Sequence, residues 1–195
     1  MLWKYILRCG FATVMGEKAG SLFRIPRSQW NPAELSSLLD PLQLRCTPMQ
    51  QSEQSVLLFL YNPSLIRSIV SMRENMQFLS QLGYPNDSAP VLTHLLKKMN
   101  LEVSFPHEIG LFLGYPLKDV QGYMANHGHN SLYDGYWKVY HDVEGAKRQF
   151  ARFDMCKQRC LEICSSAGEL HNALIYCHRK CDTQIHEAPP DRQER

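Results

Sequence analysis

No apolar run in this 195-residue chain is long enough to cross a bilayer: VLLFLY (56–61) and IGLFLGYPL (109–117) stop far short of the roughly 20 residues a membrane helix needs. A surplus of one charge is also missing. With 21 basic and 19 acidic residues the formal charge is +2, too small a field to gather nucleic acid or anionic lipid, although the isoelectric point of 8.2 is mildly basic. In MLWKYILRCGFATVMGEKAG, the first 20 residues, Lys4 and Arg8 interrupt the apolar positions, so the uninterrupted core and small-residue cleavage site of an export signal are absent. The expectation is a cytoplasmic protein whose seven cysteines are reduced thiols rather than a disulfide framework. Neither the dinucleotide glycine fingerprint nor the triphosphate loop occurs. No two cysteines have the two-residue gap of zinc ribbons or iron–sulfur loops.

What is present suffices for a core. Hydrophobic residues make up 44% of the chain, so disorder is not expected. AGSLFRIP (19–26) reads as a strand. WNPAEL (30–35) offers a helix start, with Asn31 as cap, Pro32 at the first helical position and Glu34 two further on. VLLFLY reads as a buried strand, and Asn62 and Pro63 repeat the cap-then-proline device. From residue 71 to about 126 the pattern is helical and contains an echo: FLSQLGYP (78–85) and GLFLGYP (110–116) each read as helix, glycine stop, proline restart. GYWKVY (135–140) reads as a further strand. Asp142 then caps a long helix, and after Gly168 an amphipathic piece runs to about Cys181, followed by the polar tail 186–195. The fold class is α/β or α+β, a small mixed sheet with helices packed on it and a helix-rich second half. Residues 1–165 form one domain and 166–195 a helical extension with a loose tail.

Four segments, RCGFATVMGEKAGSLFRI (8–25), VLLFLYNPSLI (56–66), FPHEIGLFLGYPLKDVQGYM (105–124) and YWKVYHDVEGAKRQFARFDMC (136–156), occur in an order that resembles a bacterial family, domain of unknown function 3793. The resemblance covers roughly residues 5–160, with Pro106-His107-Glu108-Ile109-Gly110 and the turn at 113–116 as its most distinctive part. It implies a family and no activity. Many such relatives are expected to carry cysteines just ahead of the WKVY strand, where this chain has Tyr133 and Tyr136, so the resemblance carries over no metal site.

Three chemistries can be set against plainer readings. Cys9, His107 and Glu108 are the residue types of a cysteine nucleophile, its base and an orienting acid, as in a thiol-dependent hydrolase or transferase. Adjacent helical residues diverge by about 100°, however, so Glu108 would not orient its neighbour's ring. The plainer reading makes Glu108 a first-turn carboxylate favouring exposed amides, His107 a capping or packing residue, and Cys9 a small apolar side chain. Cys156, Cys160 and Cys164 are spaced by four, as are Cys177 and Cys181 with His171 and His178 nearby. Yet Cys156 and Cys164 would lie about 12 Å apart along a helix at 1.5 Å per residue, against Zn–S bonds of about 2.3 Å. They also continue the stripe Val143, Ala146, Phe150, Phe153, so packing is the reading adopted and no metal site is assigned. The helix, glycine turn and helix at 109–126 have a helix-turn-helix outline, but Lys118, Gln121 and Asn126 with Asp119 among them make a poor recognition face. Finally HGHNSLYDGYW (127–137) holds His127, His129, Tyr133, Asp134 and Trp137, polar and flat groups suited to a small ligand; its plainer reading is a connector anchored by Trp137.

The sequence thus supports a thiol enzyme using Cys9, His107 and Glu108, a non-catalytic module binding a small ligand or metal, or a structural or partner-binding protein. It names no cofactor and no oligomeric state. A small molecule is the partner it leaves room for, and it points to neither nucleic acid nor a membrane.

Overall fold

In the computed structural model, residues 2–86, 88–101 and 105–166 are described. The chain opens with helix α1 (Trp3–Val14), followed by strand β1 (Gly20–Pro26), helix α2 (Pro32–Leu39) and strands β2 (Arg45–Gln51) and β3 (Ser55–Tyr61). Then come α3 (Pro63–Ser71), α4 (Arg73–Gln81), α5 (Ser88–Leu101), the single turn α6 (Ile109–Phe112) and α7 (Leu117–Ala125). A minimal hairpin of β4 (Tyr133–Asp134) and β5 (Lys138–Val139) precedes the long helix α8 (Val143–Ser166).

β3 is apolar at nearly every position because both of its faces are covered. Leu57 and Phe59 point into a core formed with α3 to α7, whereas Val56, Leu58 and Leu60 point into a second core under α1 and α2. The strand order is β1-β3-β2. The helix-on-sheet class expected from the sequence is present, but the sheet is antiparallel throughout rather than mixed. The turn 52–54 is too short for a parallel crossover and closes β2 and β3 into a hairpin. β2 was not legible in the sequence because of Pro48. It is an edge strand, with a register shift between Pro48 and Gln50, the setting in which a sheet tolerates proline.

α1 is the other unanticipated element. It lies between two apolar partners: Ile6 and Val14 face the sheet, while Phe11, Ala12 and Met15 face α8 and Trp137. Along α8, Ala146, Phe150, Phe153 and Cys160 are buried and Val143 and Cys156 half-buried against this third core, as the stripe predicts; the side chain of Cys164 lies outside the described residues. Asn31 and Asn62 cap as expected, each side-chain oxygen accepting two amide N–H bonds, and Asp142 accepts from the Gly145 amide at 2.9 Å.

Both glycine stops form the same closure. Gly83 (φ 83°) and Gly114 (φ 82°) are left-handed, and the amides of Tyr84 and Tyr115 reach back to the carbonyls of Leu79 and Gly110. The strand expected over 135–140 shrinks to β5, since the amides of Tyr140 and His141 bond a side chain instead of a neighbouring strand. No helix among the described residues is long and apolar enough to cross a membrane. Of the extension expected over 166–195, Ser166 is the last residue of α8, and the rest, with Cys177 and Cys181, lies outside the described residues.

Candidate functional site: an aromatic cavity beside His107

A cavity of about 380 Å³ opens where the loop before α6, the helix α7 and the β4–β5 hairpin meet. Its walls are aromatic, from Phe105, Tyr115, Tyr123 and Trp137, and its apolar floor comes from Ile109, Gly110, Leu113 and Val120. His107, Asp119 and Lys138 are the polar residues that line it.

Two buried carboxylates brace this shape. Asp119, 2% exposed, accepts three N–H bonds: its Oδ1 takes the amides of Tyr140 and His141 at 2.8 Å each, and its Oδ2 takes the Trp137 indole at 2.7 Å. One side chain on α7 therefore fixes the hairpin and Trp137 as the cavity's far wall. Trp137 stacks on Tyr115 with centroids 5.0 Å apart and meets Phe150 edge-on at 4.4 Å. Burial pushes the Tyr115 phenol up to about 12, so it is neutral at physiological pH.

Glu108 braces the near side. Its Oε1 accepts the Tyr84 hydroxyl at 3.0 Å and the Lys98 ammonium at 2.6 Å, tying the start of α6 to the turn after α4 and to α5. This corrects the plainer reading of Glu108: it makes no capping bond to α6, because a one-turn helix has little dipole to answer and the half-buried Lys98 ammonium is close by. His107 and Glu108 point in different directions, as their adjacency required. The exposed His107 ring lies 5.0 Å from the Tyr123 ring and 6.3 Å from Phe105, and makes no hydrogen bond among the described residues.

The other residues singled out in the sequence lie elsewhere. Cys9 is exposed on α1 and does not line the cavity; partial burial of its sulfur pushes the thiol above its ordinary range, with Arg8 opposing. His127 is exposed with a left-handed backbone (φ 51°), and the exposed His129 contributes its carbonyl to the Tyr140 hydroxyl. Tyr133 packs on Phe150 with the Lys147 ammonium 5.5 Å above its ring. Asp134 accepts from Ser131 at 2.6 Å and from Lys138 at 3.3 Å, bonds that hold its carboxyl below the usual range. Of the five loop residues, only Trp137 lines the cavity. Among the described residues, no three of His, Cys, Asp and Glu gather as a metal ion would need.

Sequence reasoning missed Tyr115, Asp119, Tyr123 and Lys138. A signal existed for two of them, since Asp119 and Tyr123 are four apart on one face of α7, and Tyr115 stands two residues ahead of that helix. An acid beside a tyrosine on a helix face marks a position where a buried polar contact is to be sought.

Fold and site together describe an α+β protein with helices on both sides of a small antiparallel sheet and an aromatic-walled cavity at its helical end. The chain matches the family described as "Protein of unknown function (DUF3793)" over residues 6–174, and it belongs to that family. No curated protein and no solved structure matches it.

Proposed function

We propose that this protein is a non-catalytic module that binds a small, flat molecule in the cavity beside His107. The observation that carries the reading is the cavity itself: about 380 Å³, within the range of small-molecule sites, with four aromatic rings and few polar groups on its walls. Its bracing by Glu108 and Asp119 supports the same reading, since a preformed site loses little entropy on binding. The thiol-dependent hydrolase or transferase draws less support. Cys9 has a thiol held above its ordinary range and stands off the cavity wall, and Glu108 is committed to Tyr84 and Lys98 rather than to the His107 ring.

Nitrogen-15 NMR titration with a panel of flat aromatic fragments tests the proposal. At least one fragment is expected to shift the Trp137 indole N–H and the amides of Gly110 and Tyr123 saturably, leaving the Trp3 and Trp30 indoles in place. Tyr123→Ala, which removes one wall, should weaken that fragment roughly two- to tenfold, the value of one aromatic contact. A panel without a single saturable shift at Trp137 overturns the reading.

A further inference from the structure

Resting on that reading, we infer that the cavity's ligand is an aromatic carboxylate, a planar ring system whose acid group lies between His107 and Lys138.

The rings set the shape. Tyr115 and Trp137 are stacked on each other within 27° of parallel and line the cavity as a pair, while Tyr123 closes the space toward His107. A flat ring fits such walls with offset or edge contacts, and the floor of Ile109, Leu113 and Val120 offers a saturated side chain on the ligand no polar partner.

The charges set the head group. Asp119 is the one acid lining the cavity, and its two oxygens are already taken by three N–H donors, so it presents little acceptor capacity to a ligand. Of the other polar groups of the lining, Lys138 is a cation that only donates, and the His107 ring and the Tyr123 hydroxyl can donate as well as accept. Among the described residues, His107 keeps its ring nitrogens clear of protein hydrogen bonds and Lys138 hydrogen-bonds Asp134 alone, at 3.3 and 3.4 Å. That pair is exposed, with 40% and 64% of its side chains accessible, so it is weak and can exchange for a ligand carboxylate. Lys18, 5.1 Å above the Tyr115 ring and not itself a lining residue, adds a positive charge beside one wall. A cationic ligand would meet these charges unfavourably despite the aromatic walls, and a neutral one would leave Lys138 with nothing new.

The test compares three probes of one shape, 1-naphthoate, 1-naphthylmethanol and 1-naphthylmethylamine, by calorimetry and by the Trp137 indole signal at pH 7. Naphthoate is expected to bind at least tenfold more tightly than the alcohol, with the amine weakest. Lys138→Gln and His107→Asn should each remove most of that advantage without weakening the alcohol. Asp134→Asn, which releases Lys138, should tighten naphthoate about two- to threefold. This gain cannot come from a damaged fold. Equal binding of naphthoate and alcohol, or an acid preference that survives both Lys138→Gln and His107→Asn, overturns the carboxylate inference while leaving the binding module standing. Failure of all three probes to shift Trp137 overturns the inference for this ring size, and failure of the whole fragment panel removes the module with it.

Discussion

Lys18 sits at the junction of α1 and β1 with its ammonium over Tyr115 and is half-buried, and burial pulls its pKa down from 10.5 to about 8. A lysine depressed in the folded state holds fewer protons than its unfolded counterpart between pH 8 and 10.5. Its burden on the fold is therefore full below about pH 8 and is relieved as the pH rises through that window. Cys46 and Tyr115 act oppositely, since burial raises both to about 12 and their contributions are lost as pH climbs past their unfolded values. These groups are shared by wild type and a Lys18→Met variant, so the difference between the two isolates the lysine. Urea denaturation should find Lys18→Met more stable than wild type at pH 7, with the gap narrowing by pH 10. A gap independent of pH would show that the Lys18 amine is not desolvated. Asp119 is the contrasting residue: it too is buried, but three N–H donors replace the water it lost.

Turns between elements decide where Tyr84 and Tyr115 stand. The two Gly-Tyr-Pro stops have the same backbone closure, yet each tyrosine is used differently: Tyr84 is buried and bonds Glu108, and Tyr115 forms a cavity wall. The two glycines differ in what surrounds them. A Cβ on Gly83 would meet nothing within 4 Å, whereas one on Gly114 would come within 3.3 Å of the Ala19 amide nitrogen and 3.4 Å of its Cβ. Gly83→Ala should cost about 1–2 kcal/mol, the strain of a left-handed alanine. Gly114→Ala should cost more, because the contact with Ala19 adds to that strain. Chemical denaturation of the two variants side by side checks the order, and equal costs would mean that the turn at 114 yields freely.

At the scale of the whole molecule, α8 is held by its apolar stripe rather than by its ion pairs. Phe153 is 2% exposed in the core shared with α1 and Trp137, while Arg152 reaches Glu17 at 2.6 Å from a largely exposed position. Phe153→Ala should cost about 3–5 kcal/mol. Arg152→Ala should cost about 1 kcal/mol, since Arg152 is largely exposed although its partner Glu17 is half-buried. The midpoints of urea unfolding for the two variants test this, and comparable losses would transfer the docking of α8 to electrostatics. α8 matters to the cavity because Phe150 supports both Trp137 and Tyr133 from behind.

The local devices were legible in the sequence because their physics spans only a few residues. The caps at Asn31, Asn62 and Asp142, the stops at Gly83 and Gly114, the apolar β3 and the stripe of α8 each follow from neighbours within a turn or two. α1 was hidden because its two apolar faces look to different partners, and β2 because its proline is acceptable only at an edge. The cavity belongs wholly to the tertiary structure. Glu108 takes its partner from 24 residues earlier and Asp119 takes Trp137 from 18 residues later, so neither role is written in local spacing. The sequence by itself determined the caps, the glycine stops, the apolar β3 and the stripe of α8, since those rest on short-range backbone and packing preferences. Only the folded chain decided that the sheet is antiparallel, that His107 and Glu108 part ways, and that four rings enclose a space, since each depends on bringing distant residues into contact.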